Sequence, residues 1–350
     1  MNYQFAVFIH AGRQSALPAW ISDWFSPIIP PHKVSAVYRL SSPYGQAEGV
    51  FLSISLPPDQ SNCLPAPRLA KKIFSAGRLA KKMGARIIDL GALNAAAGHI
   101  GTALARTLQL PVTNGKSFIA AAALEGSKKA LKLMGVPLEE AEVLVLGATG
   151  STGSACAQLL AKDGANYLTL VASDQNQLEL LAERIFYDYG VACKIASNAQ
   201  RSSGRADLII SAGKKPELLP PVEDLKTGAV FYGLSEIPIS FNTIGRSDIL
   251  IIDGSLIRLP GDILFNGKLD FPPLTAPAFM VEAMILALEG RFESFTLSGD
   301  IRVSKVSEIR KMAVKHGFET AGFYCRGRLI TDMDIEKIKG CVSGNARSGK

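Results

Sequence analysis

The stretch VLVLGATGSTGSACAQLLA, residues 143–161, restricts the fold more than any other part of the chain. Its first four residues are apolar and β-prone, as in a strand buried on both faces. Gly147, Gly150 and Gly153 follow in a G-x-x-G-x-x-G pattern, and an Ala-rich apolar run then reads as a helix. A strand, a tight glycine turn and a helix in that order let the backbone approach a pyrophosphate closely. The helix N-terminus then offers N–H groups and a positive dipole end to the anion. The turn residues Gly147, Ala148, Thr149, Gly150, Ser151, Thr152 and Gly153 are therefore the candidate cofactor cradle. The alternative is a glycine-rich turn that holds nothing. NYLTLVAS (residues 166–173) supplies a second strand at the distance a βαβ unit needs.

The end of that second strand selects the dinucleotide. An acid there accepts from the ribose hydroxyls of NAD, and an arginine suits the extra phosphate of NADP. The chain has Ser173, which can donate to a phosphate. Asp174 beside it can accept from a ribose or cap the following helix. Later strands are read in DLIISAG, GAVFYGL and ILIIDGS. Ligands in such sheets lie beyond the C-terminal strand ends, so Ser211, Gly213, Lys214, Tyr232, Asp253 and Gly254 join the candidates.

Before this unit, a helix, the strand RIIDLGAL, the helix GHIGTALARTL, the strand LPVTNG and a long helix over residues 117–133 alternate as α/β domains do. The expected fold is α/β with two domains: a Rossmann-type doubly wound parallel sheet, and an N-terminal α/β domain completed by C-terminal helices. The expected boundaries are 1–138, 139–272, 273–335 for the returning helices, and 336–350 for a frayed tail.

The 350 residues are 47% hydrophobic and 20% charged, enough for two cores. No run approaches the ~18 apolar residues of a membrane span, and the N-terminus lacks the basic start of a signal peptide. Five scattered cysteines without a C-x-x-C pair imply a reducing cytoplasm and no disulfide framework or zinc site. Four histidines lack ligand spacing, so no metal is expected. The net charge of +7 concentrates in RLAKKIFSAGRLAKKMGAR (residues 68–86), with seven basic residues and no acid. This is one helix, or a pair broken at Gly77. Its cations form a solvated face, or a landing surface for an acidic partner such as an acyl carrier protein or for anionic lipid. Nucleic acid is not expected, because no aromatic residues interleave with the cations. Trp20, Trp24, Phe25, Ile28 and Ile29 form either a cap on the core or an amphipathic lip for a substrate or membrane surface.

These stretches, together with VTNGKSFIAAAALEGSKKALKLMGV, ILIIDGSLIRLPGDILF and VEAMILALEGRFESFTL, resemble the aldehyde-forming long-chain acyl-(acyl-carrier-protein) reductase family and its bacterial relatives, over residues 65–325. The resemblance implies NADPH-dependent reduction of a fatty acyl thioester to the aldehyde, with a cysteine that takes the acyl group. That cysteine position is Phe279 here, and a phenyl ring cannot hold an acyl group. The family's "GN" reads Gly115-Lys116, and the arginine that favours NADPH is Ser173.

The expected function is thus an NAD(P)-dependent oxidoreductase acting on a carbonyl-type substrate without a covalent thiol. NADP is the expected cofactor, with NAD as the alternative. Hydride transfer needs a held carbonyl or imine and a proton donor, for which Lys116 and Tyr232 are candidates. Lys116 stands where a strand enters a helix, on the side expected to face a cleft. The alternatives are direct hydride reduction of an acyl thioester, and a non-catalytic dinucleotide sensor or partner subunit.

Overall fold

The computed structural model describes residues 3–10, 29–54, 65–93, 98–213, 218–234, 246–261, 263–266, 272–297, 299, 301–325 and 328–348. The chain forms two units. One comprises Met1–Phe118, Ile257–Gly299 and Ser307–Glu319; the other comprises Ile119–Leu256, Asp300–Val306 and Thr320–Lys350.

The first unit is built on a mixed six-stranded sheet. Strand β1 (Phe5–Ile9) is buried along its whole length and pairs in parallel with both β3 (Gly45–Ser53) and β4 (Ile87–Asp89). A central strand has no solvated face, which is why FAVFI is uninterrupted. Strand β2 (His32–Ser42) runs antiparallel to β3, β5 (Val112–Thr113) runs parallel to β4, and a late strand, Leu264–Asn266, adds antiparallel to β2. Helix α1 (Ala66–Lys82) is unbroken. It buries Leu69, Ile73, Ala76 and Ala80, one helical stripe, in a core shared with Ala6, Phe8 and Ile88. A Cβ on Gly77 would meet Leu104 at 2.8 Å and Leu108 at 2.7 Å, so the glycine admits helix α2 (Gly98–Leu108) rather than breaking α1. Helix α3 (Lys116–Met134) begins just after β5.

The second unit is built on a six-stranded sheet, all parallel, in the order β11-β10-β9-β6-β7-β8; a short antiparallel pair, Tyr324–Cys325 with Arg328–Leu329, lies apart from it in the sheet pairing. The six are β6 (Glu142–Leu146), β7 (Tyr167–Val171), β8 (Lys194–Ala196), β9 (Leu208–Ser211), β10 (Val230–Gly233) and β11 (Leu250–Asp253). Helix α4 (Ser151–Lys162) connects β6 to β7, and α5 (Gln175–Tyr189) follows β7. In strand sequence this is 6-5-4-1-2-3, the doubly wound order, and its direction reverses between β6 and β9.

The chain returns to the first unit at Ile257 and there forms α6 (Glu282–Leu288), all seven residues of which are buried. Alternation sends Ala6, Phe8, Val50, Leu52 and Ile88 toward α1. It leaves Phe5, Val7, Phe51, Ile87 and Asp89 on the opposite side, where the Ala283 N–H of α6 donates to Asp89 Oδ2 at 3.4 Å. Helices α7 (Val303–His316) and α8 (Asp332–Ser348) complete the chain.

Three expectations change. The first unit ends at Phe118, not at 138, because α3 carries the chain out of it. Residues 320–335, expected with the returning helices, group with the second unit. The expected tail from 336 is most of helix α8, whose acids Asp332 and Asp334 lie in its first turn, where the dipole favours them. The first sheet is also not parallel throughout, since the β2–β3 hairpin enters it. The tryptophan-rich stretch lies outside the described residues, apart from the exposed Ile29. Among the described residues, no helix is long and apolar enough to cross a membrane.

Candidate functional site

The glycine turn of the second unit is held by its neighbours. The N–H groups of Gly147 and Ala148 both donate to Val171 O, at 2.8 and 3.0 Å, which ties the turn to the end of β7. Gly147 has φ +73°, a conformation that costs glycine least. A Cβ there would stand 3.0 Å from Gly213 N. A Cβ on Gly153 would drive into the Gly147 carbonyl group and lie 3.1 Å from Ala212 Cβ. The turn, β9 and the first turn of α4 are therefore closer than any side chain permits.

Gly150 is the N-cap of α4 and brings no side-chain cap. The first intrahelical bond runs from Ser154 N–H to Gly150 O at 2.8 Å, so the N–H groups of residues 151–153 precede the helix's own acceptors. This is the geometry that accepts an anion.

A cleft of about 330 Å³ lies at this turn. Gly147, Thr149 and Gly150 line it from the turn, Ser173 and Asp174 from the end of β7, and Gly213 from the end of β9. The fold thus brings together six residues read from sequence. Ala172, Ala212 and Leu218 complete the wall. Leu218 was not legible as a site residue, because only the strand order places it beside β7. The side chain of Ala148 is buried in the core, and Ser211 is enclosed between β6 and β10. Asp253 closes β11 and does not line the cleft. Lys214 lies outside the described residues. Asp174 Oδ1 accepts from Gln177 N–H at 3.1 Å, so Asp174 caps α5 as well as lining the cleft.

Tyr232 requires correction as a proton donor. It is fully buried in β10, its hydroxyl lies 2.8 Å from Ser255 Oγ, and a Cβ on Gly126 would collide with its ring. Burial pushes its phenol up to about 12. The residue packs α3 against the sheet.

In the first unit, the ends of β4 and β5 enclose a polar cluster that the sequence reading missed. Asp89, Thr113, Asn114, Ser117 and Glu282 are each at most 3% exposed. Glu282 accepts from the Thr113 hydroxyl and, at 2.9 Å, from Phe118 N–H. Asp89 accepts from Gly91 N–H at 2.9 Å and from Ala283 N–H. Burial raises both carboxyl groups above their ordinary range, and the charge of Glu282 raises Asp89 further. The Ser117 hydroxyl lies 2.6 Å from the Thr296 hydroxyl. The only local signal was an acid inside each of two apolar runs, IIDLGAL and FMVEAMILAL.

This cluster fixes the start of α3 and with it Lys116. The Lys116 N–H donates to Asn114 Oδ1 at 3.2 Å. Its side chain is half-buried, and burial lowers its amine below the usual lysine range. Gly115, at φ +74°, lies so close to Phe279 that a Cβ would stand 2.6 Å from Phe279 O. Lys116 therefore directly follows a residue packed against the position where the resemblance places a thiol. Phe279 lies in the first unit and all four described cysteines lie in the second; Cys156 is buried with its thiol pushed up to about 12, and the Cys193 thiol is pushed up to about 11. Cys63 is outside the described residues.

On α1, Arg68, Lys71, Arg78, Lys81 and Lys82 are exposed, as is Arg86 between its end and β4. Lys72 is not: it is 8% exposed, and its amine donates to Ile29 O at 2.9 Å and Ile54 O at 3.4 Å. Arg86 lies over the Phe292 ring at 3.7 Å.

No family model matches the chain. It is 26% identical over 297 residues to aminotransferase PigE of Serratia sp. (strain ATCC 39006), across 83% of this chain and 34% of that one. It is 25% identical over 215 residues to the long-chain acyl-[acyl-carrier-protein] reductase of Synechococcus elongatus, across 59% of this chain and 61% of the other. The chain therefore spans about a third of the first relative and three fifths of the second. Among solved structures, the quinate dehydrogenase of Corynebacterium glutamicum in complex with NAD is 13% identical at a TM-score of 0.41, covering 90% of this chain and 99% of that one. The 5-ketofructose reductase of Gluconobacter sp. strain CHM43 is 11% identical at 0.34, over 98% and 99%.

Proposed function

We propose that the chain is an NAD(P)-dependent oxidoreductase acting on a carbonyl-type substrate. The observation that carries this reading is the cleft at the strand-order reversal, walled by a glycine turn too tight for side chains and facing an uncapped helix N-terminus. Gly147, Thr149 and Gly150 would hold the pyrophosphate, with the first turn of α4 neutralising its charge. A nicotinamide dinucleotide supplies hydride when bound. The protein's own part is to hold a carbonyl and place a proton. Lys116 is the candidate for that proton, because it stands beside Phe279 through Gly115 and burial lowers its amine below the usual lysine range.

In this reading Phe279 removes the covalent route of the reductases that the sequence resembles, and the substrate meets the hydride directly. The similarity to the S. elongatus acyl-carrier-protein reductase supports a thioester or its aldehyde as substrate. The exposed cations of α1 suit an acidic carrier that would bring it.

The test is dinucleotide oxidation by the purified chain with long-chain acyl thioesters and with the corresponding aldehydes, scored beside dinucleotide binding. Turnover with either substrate supports the reading. Binding without turnover on any carbonyl would make the chain a sensor. Lys116→Ala should lower turnover at least about tenfold while leaving dinucleotide affinity unchanged. Unchanged turnover removes Lys116 from the site.

A further inference from the structure

We infer that Asp174 sets the dinucleotide preference of the cleft, and sets it toward the cofactor that lacks a 2′-phosphate. The inference rests on the cleft of the second unit being a dinucleotide site. It runs against the NADPH implied by resemblance.

Asp174 stands three residues beyond the end of β7, the second strand of a doubly wound sheet, on the wall of the cleft beside Ser173. The glycine turn is bonded to that strand end through Val171 O, so the distance between the anion cradle and Asp174 is fixed by backbone. In this topology the residues at the end of the second strand meet the adenosine ribose.

Charge decides the rest. Among the described residues of the wall, Asp174 alone is ionisable, and neither arginine nor lysine lines it. A ribose with two free hydroxyls donates to a carboxylate. A 2′-phosphate brings nearly two further negative charges and no donor, so it meets repulsion instead. The cap bond to Gln177 N–H engages Oδ1 and holds the carboxylate in place at the start of a 15-residue helix. A pre-set acceptor costs less ordering on binding than a mobile one.

The same bond makes the test clean. Asparagine and serine both cap helices, so Asp174→Asn and Asp174→Ser remove the charge and keep the cap. The purified full chain would be titrated with NADH and with NADPH by calorimetry or nucleotide fluorescence, and each variant melted in parallel. The wild-type chain should bind NADH at least about tenfold more tightly than NADPH. Asp174→Asn should bring the two affinities within about threefold, with an unchanged melting temperature. The double variant Ser173→Arg/Asp174→Ser should prefer NADPH.

Equal binding by the wild type, or a preference for NADPH, overturns the inference and leaves the dinucleotide reading standing. An unchanged ratio in Asp174→Asn, with or without a lower melting temperature, makes Asp174 a helix cap alone and also overturns it. If the wild type binds neither nucleotide, the dinucleotide reading falls and the inference falls with it.

Discussion

Gly153→Ala is the sharpest single perturbation of the cradle. The added methyl would stand 3.0 Å from the Gly147 carbonyl carbon and closer still to its oxygen, with Ala212 Cβ at 3.1 Å. Ordinary contact begins at 3.4 Å, and the oxygen lies about 1 Å inside that limit, so the first turn of α4 must move away from the glycine turn by about 1 Å. Overpacking of this kind typically costs about 1–3 kcal/mol. The displaced groups are the N–H donors proposed to face the pyrophosphate. If half or more of that cost falls on the bound state, dinucleotide affinity drops by roughly 2- to 140-fold. Gly150→Ala is the graded control, because its methyl would meet only Gly147 O, at 3.2 Å. The assay is nucleotide titration of both variants and the wild type, with thermal melts. The expected order of affinity is wild type, then Gly150→Ala, then Gly153→Ala. Unchanged affinity in Gly153→Ala, with the melt lowered as overpacking requires, would show that the turn serves packing and not the anion.

The buried carboxyls predict a pH signature. Because Asp89 and Glu282 titrate above their ordinary range in the folded chain, the folded state holds protons that the unfolded state has released. Their contribution is full below about pH 4 and declines as pH rises toward the folded values. Asp89→Asn, which keeps an acceptor for Gly91 N–H, should flatten the fall of stability as pH rises above about 4 in urea titrations; an identical slope would contradict this. Lys72→Met should lower stability by about 1–3 kcal/mol in the same titrations, since it leaves the carbonyls of Ile29 and Ile54 without this donor. A neutral effect would mean that other groups satisfy them. Glu282→Gln should be tolerated better than Glu282→Ala, because glutamine still accepts from Thr113 or Phe118; equal melting temperatures for the two would exclude that role.

How far these features were legible in the sequence follows from how local they are. The cradle was readable because its strand, glycines and helix are contiguous, and the helix over residues 98–108 was readable because its pattern is its own. The β2–β3 hairpin was not. Its strands mix polar and apolar residues, and its turn, Pro43-Tyr44, carries no glycine pair. The Asp89–Glu282 cluster joins residues 193 positions apart, and nothing in a local window links them. Tyr232 was misread for the same reason. A strand end marks a residue as near the ligand edge, but whether its side chain faces a cleft or a helix depends on what packs beside it. Here that neighbour is Gly126 of α3, the residue that leaves room for the ring.

The order in which the chain is written along its length has a consequence for how it is made. The parallel sheet of the second unit is contiguous, from residue 142 to residue 253, and all six strands leave the ribosome in one run. The first unit is different. Strands β1, β3 and β4 emerge within the first 89 residues, yet α6, the helix that covers their apolar side, is made almost two hundred residues later. Phe5, Val7, Phe51 and Ile87 therefore wait for their cover while the entire second sheet is synthesised. At about 5–20 residues per second that interval is on the order of 10–40 seconds. During it, the half-finished first sheet leaves an apolar face uncovered, and a chain stopped before residue 282 leaves it permanently so.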